Sequence, residues 1–260
     1  MDEASPVPER DGGGIPEVSV VVPAYREEAR LPATLKRLPL DLEAAGIRSF
    51  EVVVVDDGSP DHTSDVVRAA AAREPRIRLV RNDTNRGKGR AVRSGVFSAR
   101  GAFLLVTDAD LSTPVADAAR LLAVARRGVP VVIGSRRVRG AKILVRQPLH
   151  REAIGFAFAV LRRLLVLPTL CDTQCGCKVF EARAARALFA ASVEDGFVYD
   201  VEILLLARER RMRVAEVPVR WADDPRTQVR ALPASLSMLA GLLRLSGRRL
   251  RRAAGRHAIG

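Results

Sequence analysis

The chain has 260 residues, of which 48% are hydrophobic and only 4% aromatic, so it can bury a sizeable core built mainly from Val, Leu, Ile and Ala. Its 43 Lys and Arg against 30 Asp and Glu give a formal net charge of +13. Such an excess favours a polyanionic partner, either a nucleic acid, an anionic membrane surface or a phosphorylated substrate. An Arg- and Ala-rich chain from a GC-rich genome would show the same excess without any such partner.

Targeting and membrane-spanning segments are not indicated. Met1–Pro16 has no apolar core and predicts a disordered tail instead of a signal peptide. No window reaches the roughly 18 apolar residues that a spanning helix needs, and the nearest, Ile154–Leu167, is interrupted by Arg162 and Arg163. We therefore expect a cytoplasmic protein, peripheral on the cytoplasmic face of a membrane. The cysteines, whose spacing suits neither a disulfide framework nor a zinc site, are Cys171, Cys175 and Cys177.

In the first half, short β-branched runs alternate with longer helical patterns. Strands are predicted at Val18–Val22, Phe50–Val55, Ile77–Val80, Phe103–Thr107 and Val129–Ile133. Helices are predicted at Ala29–Ala45, Thr63–Arg73, Gly89–Ala99 and Val115–Arg127. Continuous apolar strands separated by helices predict an α/β fold, a doubly wound, mostly parallel sheet with helices on both faces. Ligands of such sheets bind outside the carboxyl ends of the strands.

The second half follows a looser pattern. It contains an amphipathic stretch, two helices, a strand and a basic amphipathic helix, at Leu149–Leu167, Ala182–Ala191, Tyr199–Arg210, Val214–Val219 and Pro233–Arg252. We expect a tail at 1–16, a catalytic domain at 17–232 and a basic C-terminal helix and tail at 233–260. Within the domain, residues 17–138 would bind a nucleotide and residues 139–232 an acceptor.

Polar residues cluster where the predicted strands end. The four clusters are Pro23–Glu28, Asp56–Ser59, Asp108–Asp110 and Ser135–Arg137. Each cluster alone could be turn or cap chemistry. Together they indicate a ligand crevice along one edge of the sheet.

Asp108-Ala109-Asp110 is the central pair of carboxylates. Two carboxylates one residue apart, on the turn that leaves a buried strand, can converge on one hard divalent cation. Mg²⁺ takes one or two carboxylates together with substrate phosphates. The pattern alone is common by chance, and its place after the fourth strand makes it a metal and diphosphate candidate.

Several segments resemble family 2 glycosyltransferases of the GT-A fold. In the first half they are Val20–Glu28 (VVVPAYREE), Phe50–Asp61 (FEVVVVDDGSPD), Asn85–Arg90 (NRGKGR) and Thr107–Pro114 (TDADLSTP). Asp172–Phe180 (DTQCGCKVF), Tyr199–Glu202 and Glu216–Trp221 narrow the resemblance to dolichyl-phosphate β-glucosyltransferases and bacterial polyprenyl-phosphate glycosyltransferases. The similarity covers roughly Val18–Arg248.

The resemblance implies a role for each matching residue. The donor nucleotide-sugar would be bound by Pro23, Ala24, Tyr25, Glu27, Asp56, Asp57, Arg86, Lys88, Asp108, Ala109 and Asp110. Asp108 and Asp110 would hold Mg²⁺ or Mn²⁺, with Asp172 as a further catalytic residue. The acceptor's phosphate and the sugar would be bound by Arg136, Arg146, Arg151, Gln174 and Lys178.

The implied reaction is inverting transfer of a hexose, glucose from UDP-glucose, to a polyprenyl or dolichyl phosphate. Arg suits that acceptor because its planar guanidinium binds two phosphate oxygens at once. A phosphate monoester with a second pKa of about 6 is already largely dianionic at neutral pH, so it needs no strong general base. Asp172 would then only orient groups.

Two positions depart from the family pattern. Cys177 stands where relatives usually have Phe, which removes bulk near the acceptor site. Gln228 stands in a segment where many relatives have Gly-Ser-Lys, so Arg226 or Arg230 would have to replace the Lys charge on the diphosphate.

The basic C-terminal helix suits a membrane surface. Its apolar stripe and basic flank consist of Leu232, Leu236, Leu239, Leu243, Leu250, Arg244, Arg248, Arg249, Arg251 and Arg252. An apolar stripe flanked by basic residues suits a helix in the headgroup region of an anionic bilayer. The alternative is that this helix and Leu149–Leu167 pack on the sheet with their charges solvated.

Other functions stay open from the sequence. The same fold could use GDP-mannose, or act on a soluble acceptor such as a small sugar or glycerate. A non-catalytic nucleic-acid-binding protein is a distant alternative, because the basic stretches lack interleaved aromatic residues that stack on bases. We therefore expect no nucleic-acid partner, and the oligomeric state is not indicated.

Overall fold

A computed structural model describes residues 14–224 and 231–257 of the chain. The strands are β1 (Val18–Ala24), β2 (Phe50–Asp56), β3 (Ile77–Arg81), β4 (Phe103–Val106), β5 (Val131–Ser135), β6 (Lys142–Val145), β7 (Lys178–Glu181), β8 (Val214–Pro218) and β9 (Arg220–Ala222). The helices are α1 (Leu31–Ala44), α2 (Thr63–Ala71), α3 (Lys88–Ser98), α4 (Val115–Ala125), α5 (Leu149–Leu165), α6 (Ala182–Ala191), α7 (Tyr199–Glu209) and α8 (Ala231–His257).

Seven strands form one sheet in the order β3-β2-β1-β4-β7-β5-β8. Every neighbouring pair is parallel except those that include β7, which runs antiparallel to both β4 and β5. The predicted mostly parallel α/β sheet is confirmed. The sequence did not predict β7, which lies inside the Asp172–Phe180 motif and joins β4 to β5.

The two faces of the sheet carry separate apolar cores. Alternate strand residues point to opposite faces. Val20 and Val52 pack with α1 and α4, whereas Val21 and Val53 pack with α3, α6 and α7. The prediction of a doubly wound sheet with helices on both faces is thus confirmed, and its core consists mainly of Val, Leu, Ile and Ala.

The second half adds a more exposed layer. β6 and β9 pair in a separate two-stranded sheet, and all four residues of β6 are exposed. In α5, Arg162 is the buried residue of the helix. α8 begins before Pro233 and ends after Arg252, so it is longer than predicted. It packs on the body of the protein through the buried Leu242 and Leu245.

Some predictions fall on residues outside the described ranges. They are residues 1–13 of the N-terminal tail, Arg226, Gln228, Arg230 and residues 258–260. The same holds for the side chains of Leu232, Arg249, Leu250, Arg251 and Arg252. Among the helices of residues 14–224 and 231–257, none combines the length and apolar character needed to cross a membrane.

Candidate active site

A cavity of about 790 Å³ opens at the carboxyl ends of β4 and β5. Lys88, Asp108, Asp110, Arg136 and Arg151 are among the charged residues that line it. α5 and α8 add apolar side chains to the wall, including Phe156, Phe158, Leu161, Met238 and Leu239. The fold thus brings the predicted metal-binding carboxylates and three of the five predicted acceptor residues, Arg136, Arg151 and Gln174, into one space.

Asp108 is held from two directions. Lys88, the first residue of α3, places its Nζ 2.6 Å from Oδ1 of Asp108. On the other side, a Cβ added at Gly176 would lie only 2.1 Å from Oδ2 of Asp108. Any larger residue in place of this Gly of the DTQCGCK motif would force the carboxylate of Asp108 to shift. Burial opposes ionisation of Asp108, but Lys88, Lys178 and Arg136 outweigh it and lower its pKa.

Asp110 lies in the opposite electrostatic environment. Burial and then the negative charge of Asp108 raise the pKa of Asp110, although the backbone N–H of Ser112 donates to Oδ1 at 2.9 Å. Burial likewise raises the pKa of Glu27 to about 6 against the effect of Arg30, and the charges of Asp110 and Asp108 add to the rise. The carboxylates repel one another, so a cation bound between them would lower their energy.

These carboxylates fit a divalent ion. No group of three His, Cys, Asp or Glu side chains forms a ready-made metal site within the described part of the chain. Mg²⁺ and similar hard ions often take only one or two carboxylates and complete their shell with phosphate and water. Asp108, whose pKa is lowered by Lys88 against burial, and Asp110, whose pKa is raised by burial and by the charge of Asp108, suit that role.

Asp56 and Asp57 are occupied by the protein itself. Asp56 is fully buried; its Oδ1 accepts from the Ser59 backbone N–H at 2.9 Å and its Oδ2 from the hydroxyl of Ser64. Asp57 accepts from Asn82, and from the backbone N–H groups of Arg86 and Gly87 at 3.1 and 2.7 Å. Both carboxylates therefore shape the loops of the predicted donor side, and their contact with the nucleotide-sugar stays a prediction.

The other predicted donor residues surround the same loops. Ala24 is buried and its carbonyl accepts from the Asp57 N–H at 2.9 Å. Tyr25 is half-buried, with the Arg26 guanidinium 5.4 Å from its ring. Arg86 is exposed and pairs with Asp195 at 2.7 Å. Pro23 is half-buried at the end of β1, and Ala109 is buried between the two predicted metal ligands.

Asp172 and Arg136 form a bidentate ion pair on the acceptor side. Nε and Nη2 of Arg136 donate to the two carboxylate oxygens at 2.7 and 3.0 Å. Although burial opposes it, this guanidinium lowers the pKa of Asp172 to about 2. The guanidinium carbon of Arg136 also lies 5.3 Å from the centroid of the Trp221 ring. Asp172 thus orients Arg136, which fits its predicted role of orienting groups.

The Asp172 segment is fixed by two further charged residues. Glu216 accepts the backbone N–H groups of Cys171 and Asp172 at 2.8 and 2.9 Å. Arg162 is 1% exposed and donates to the carbonyls of Leu167, Leu170 and Cys171. Sequence reasoning misses both roles, because each depends on contacts that local patterns do not reveal. In the sequence, Arg162 is only an interruption of an apolar stretch.

Lys178 lies beneath the cavity instead of lining it. Its Nζ is 2.6 Å from Oδ1 of Asp200, which does line the cavity, and it donates to the carbonyl of Cys175. Lys178 is 2% exposed. Its positive charge still reaches Asp108, whose pKa it helps to lower. Direct contact between Lys178 and a substrate stays a prediction.

The remaining predicted acceptor residues differ in position. Arg151 and Gln174 line the cavity, together with Arg137, which the sequence analysis did not assign. Arg146 lies at the surface with its side chain 80% exposed, 4.0 Å from Glu152, and is not among the cavity residues. Cys177 is buried in the core, so its replacement of Phe affects packing under the site and not the cavity wall.

Comparison with known proteins agrees with this geometry. Residues 19–189 match the family model described as glycosyl transferase family 2. The chain is 31% identical over 244 residues to a dolichyl-phosphate β-glucosyltransferase of Dictyostelium discoideum, covering 90% of this chain and 75% of that one. The human dolichyl-phosphate β-glucosyltransferase is 33% identical, with coverage of 80% and 68%.

Solved structures share the fold at lower identity. Glucosyl-3-phosphoglycerate synthase from Mycobacterium tuberculosis, in complex with UDP, superposes with a TM-score of 0.62 at 20% identity, covering 89% of this chain and 80% of that one. The same synthase was solved with Mn²⁺, UDP-glucose and phosphoglyceric acid, at 18% identity and a TM-score of 0.62. The chain therefore has the GT-A fold, and it is a glycosyltransferase that belongs to glycosyl transferase family 2.

Proposed function

We propose that this enzyme transfers glucose from UDP-glucose to a polyprenyl or dolichyl phosphate, with inversion at the anomeric carbon. One observation carries the proposal: a single cavity joins the carboxylates Asp108 and Asp110 to Arg136 and to an apolar wall from α5 and α8. The carboxylates suit the nucleotide-sugar, Arg136 suits the phosphate of the acceptor, and the apolar wall suits its lipid chain. The names of the curated relatives support the same acceptor and sugar.

On the donor side, Asp108 and Asp110 are the residues that would hold Mg²⁺ or Mn²⁺. A bound divalent cation neutralises the charge that builds on the departing diphosphate. Lys88 keeps Asp108 ionised and in place, and the backbone of Gly176 limits the movement of that carboxylate. The Mn²⁺ and UDP-glucose complex of a protein with this fold supports the assignment.

On the acceptor side, Arg136 lines the cavity and is held in place by its ion pair with Asp172. Arg137 and Arg151 contribute further positive charge to the same wall. A phosphate dianion bound there is already a competent nucleophile, so an oxygen of the phosphate attacks the anomeric carbon and the nucleoside diphosphate leaves. No side chain has to remove a proton, which agrees with both oxygens of Asp172 being engaged by Arg136.

The lipid chain of the acceptor has an apolar exit. Along α5, Leu149, Phe156 and Leu164 are 81%, 63% and 75% exposed, and Leu236 and Leu243 of α8 are 68% and 56% exposed. They lie on the two helices that supply the apolar wall of the cavity, and we infer that they form one apolar surface with it. We propose that this surface rests on an anionic bilayer as a peripheral contact; which face of the membrane it meets, including the predicted cytoplasmic one, stays a prediction.

The test is a reaction of purified protein with Mg²⁺ or Mn²⁺, a panel of nucleotide-sugars and a short polyprenyl phosphate. We expect a lipid-linked glucose from UDP-glucose and release of UDP, with little product from GDP-mannose. Lack of transfer from every common donor would refute the proposal. A nucleotide thermal-shift series run beside it identifies the base that the donor side accepts.

A soluble phosphorylated acceptor is the second candidate. It is favoured by the fold shared with a synthase whose structure holds phosphoglyceric acid, since the arginines of the acceptor side suit any phosphate monoester. Vesicle flotation separates the two: the lipid acceptor requires binding to anionic vesicles, and the soluble acceptor does not.

A further inference from the structure

Residues 193–198 connect the end of α6 to α7 and lie between α8 and the start of α3. The side chain of Asp195 points toward α3. Its Oδ2 accepts from Nη2 of Arg86 at 2.7 Å and its Oδ1 from Nη1 of Arg93 at 2.7 Å. Its carbonyl also accepts from the backbone N–H of Arg90 at 3.0 Å. One residue therefore contacts the turn before α3 and the first two turns of that helix.

The turn at residues 86–88 has no room to move toward this segment. Gly87 has a φ of +112°, and a Cβ added there would lie 2.7 Å from the carbonyl oxygen of Asp195. On the opposite side, Oδ2 of Asp57 accepts from the backbone N–H groups of Arg86 and Gly87. The turn that presents Lys88 to Asp108 is thus clamped between Asp57 and Asp195.

The same segment is tied to α8 by its next acidic residue. Glu194, only 6% exposed, accepts from Nη2 of Arg244 at 2.9 Å and lies 3.8 Å from Nη1 of Arg248. Glu202 of α7 accepts from the backbone N–H groups of Val193 and Glu194 at 2.9 and 2.8 Å, and from Arg248 at 3.4 Å. Two groups of ion pairs, joined by the peptide bond between Glu194 and Asp195, therefore link α8 to the turn at 86–88.

We propose that Asp195 is a positioning residue for the Arg86–Lys88 turn, and that Glu194 makes the position of this turn depend on the packing of α8. The proposal rests on the donor role of that turn. The side chain of Arg86 is 55% exposed, so without Asp195 it would sample many rotamers. Binding a diphosphate would then cost the conformational entropy of ordering that side chain. Fixing the turn in advance lowers that cost, and donor affinity is the quantity that changes.

The first test compares Asp195→Asn with the wild type. We expect the Kd for UDP with Mn²⁺ and the KM for UDP-glucose to rise about tenfold, with the acceptor KM unchanged. The matched control is Asp65→Asn, which removes an exposed carboxylate paired with Arg68 on α2. A merely structural role would lower the thermal midpoint and the active fraction, and leave the Kd of the folded protein unchanged.

The second test addresses α8. Arg244→Gln should raise the UDP Kd by about threefold, and the exchange Glu194→Arg with Arg244→Glu should recover most of the affinity lost in Arg244→Glu. Arg37→Gln, which removes an exposed ion pair with Asp41 on α1, is the control. An unchanged Kd in Arg244→Gln would overturn the link to α8.

These outcomes separate the inference from the proposed function. If the wild type binds UDP and Asp195→Asn binds it with the same Kd, the inference is overturned and the proposed function is not. A wild-type protein that binds neither UDP nor UDP-glucose refutes the proposed function, and the inference with it.

Discussion

The two sides of the cavity are built differently. On the donor side, Asp56, Asp57 and Asp108 lie at or just beyond the ends of buried parallel strands, and partners from neighbouring loops and from α3 hold them. On the acceptor side, the wall comes from α5, α8 and the two-stranded sheet, where apolar side chains are exposed. A rigid donor side suits one small nucleotide-sugar, whereas an open apolar side suits a long flexible chain. Four substitutions can break or sharpen this contrast.

The largest effect is expected from Asp108→Asn. Loss of this charge removes a predicted metal ligand and leaves Lys88 without its partner at 2.6 Å. We expect kcat/KM to fall by about 10²–10³-fold, as when a preorganised charge at a departing group is removed. Steady-state transfer assays at saturating Mn²⁺ measure it. A decrease below tenfold would mean that the donor side does not depend on this carboxylate.

Gly176→Ala tests how closely the donor side is packed. The added Cβ would meet Oδ2 of Asp108 at 2.1 Å, so the carboxylate has to shift. A displacement of about 1 Å can lower activity by about 100-fold. Gly247→Ala in α8, where nothing lies within 4 Å of the new Cβ, is the control and should keep full activity. Equal activity of both variants would show that Asp108 tolerates movement.

Arg136→Gln tests the acceptor side through pH. With its folded pKa lowered to about 2, ionised Asp172 stabilises the wild type fully above its unfolded pKa, and this stability is lost as pH falls through about 2. In the variant, burial dominates and raises the pKa of Asp172 above its ordinary value, so the ionised carboxylate destabilises the fold at neutral pH and the variant regains stability as pH falls through the raised pKa. We expect urea unfolding at pH 7 to show a free energy of unfolding lower by about 3 kcal/mol. Adding Asp172→Asn should restore much of it, and a variant as stable as the wild type from pH 7 to 4 would contradict the pairing.

The smallest effect is expected from Leu164→Ser on α5. This side chain is 75% exposed, so folding stability should change by less than about 0.5 kcal/mol. If the surface rests on a bilayer, Leu164 is buried in the lipid, and replacing it with Ser weakens vesicle binding by about tenfold. Flotation with anionic vesicles measures it. Leu40→Ser on α1, exposed by 62% on the other face of the sheet, is the control, and equal flotation of the two variants would count against this surface.

Much of the donor side could be predicted from the sequence, because it depends on local patterns. Continuous Val runs placed β1, β2 and β5 to within a few residues, and the Asp108–Asp110 pair follows directly from the end of β4. Partners distant in sequence could not be predicted. Asp57 and Gly87 are 30 positions apart, and nothing local shows that the Asp57 carboxylate closes that loop.

The acceptor side was predicted less well for a physical reason. β6, β7 and β9 have only three or four residues each, too few to show a period. Lys178 and Arg162 are charged residues that are buried with partners from other segments. From sequence alone, charged residues are predicted to lie at the surface. The resemblance to a known family pointed to the Asp172–Phe180 segment, but it did not reveal that this segment contains a strand.

That strand has a consequence for how the gene can be divided. β5 hydrogen-bonds to β7 and β8 in the main sheet, and both follow it by more than forty positions in the chain. A fragment ending at residue 138 would therefore carry β5 without either neighbour and would leave the edge of β4 open to aggregation. Recombination that exchanges acceptor specificity between relatives has to carry β7 with its new surroundings, or replace only the loops and helices outside the sheet. The smallest exchangeable unit is thus set by strand order and not by position along the chain.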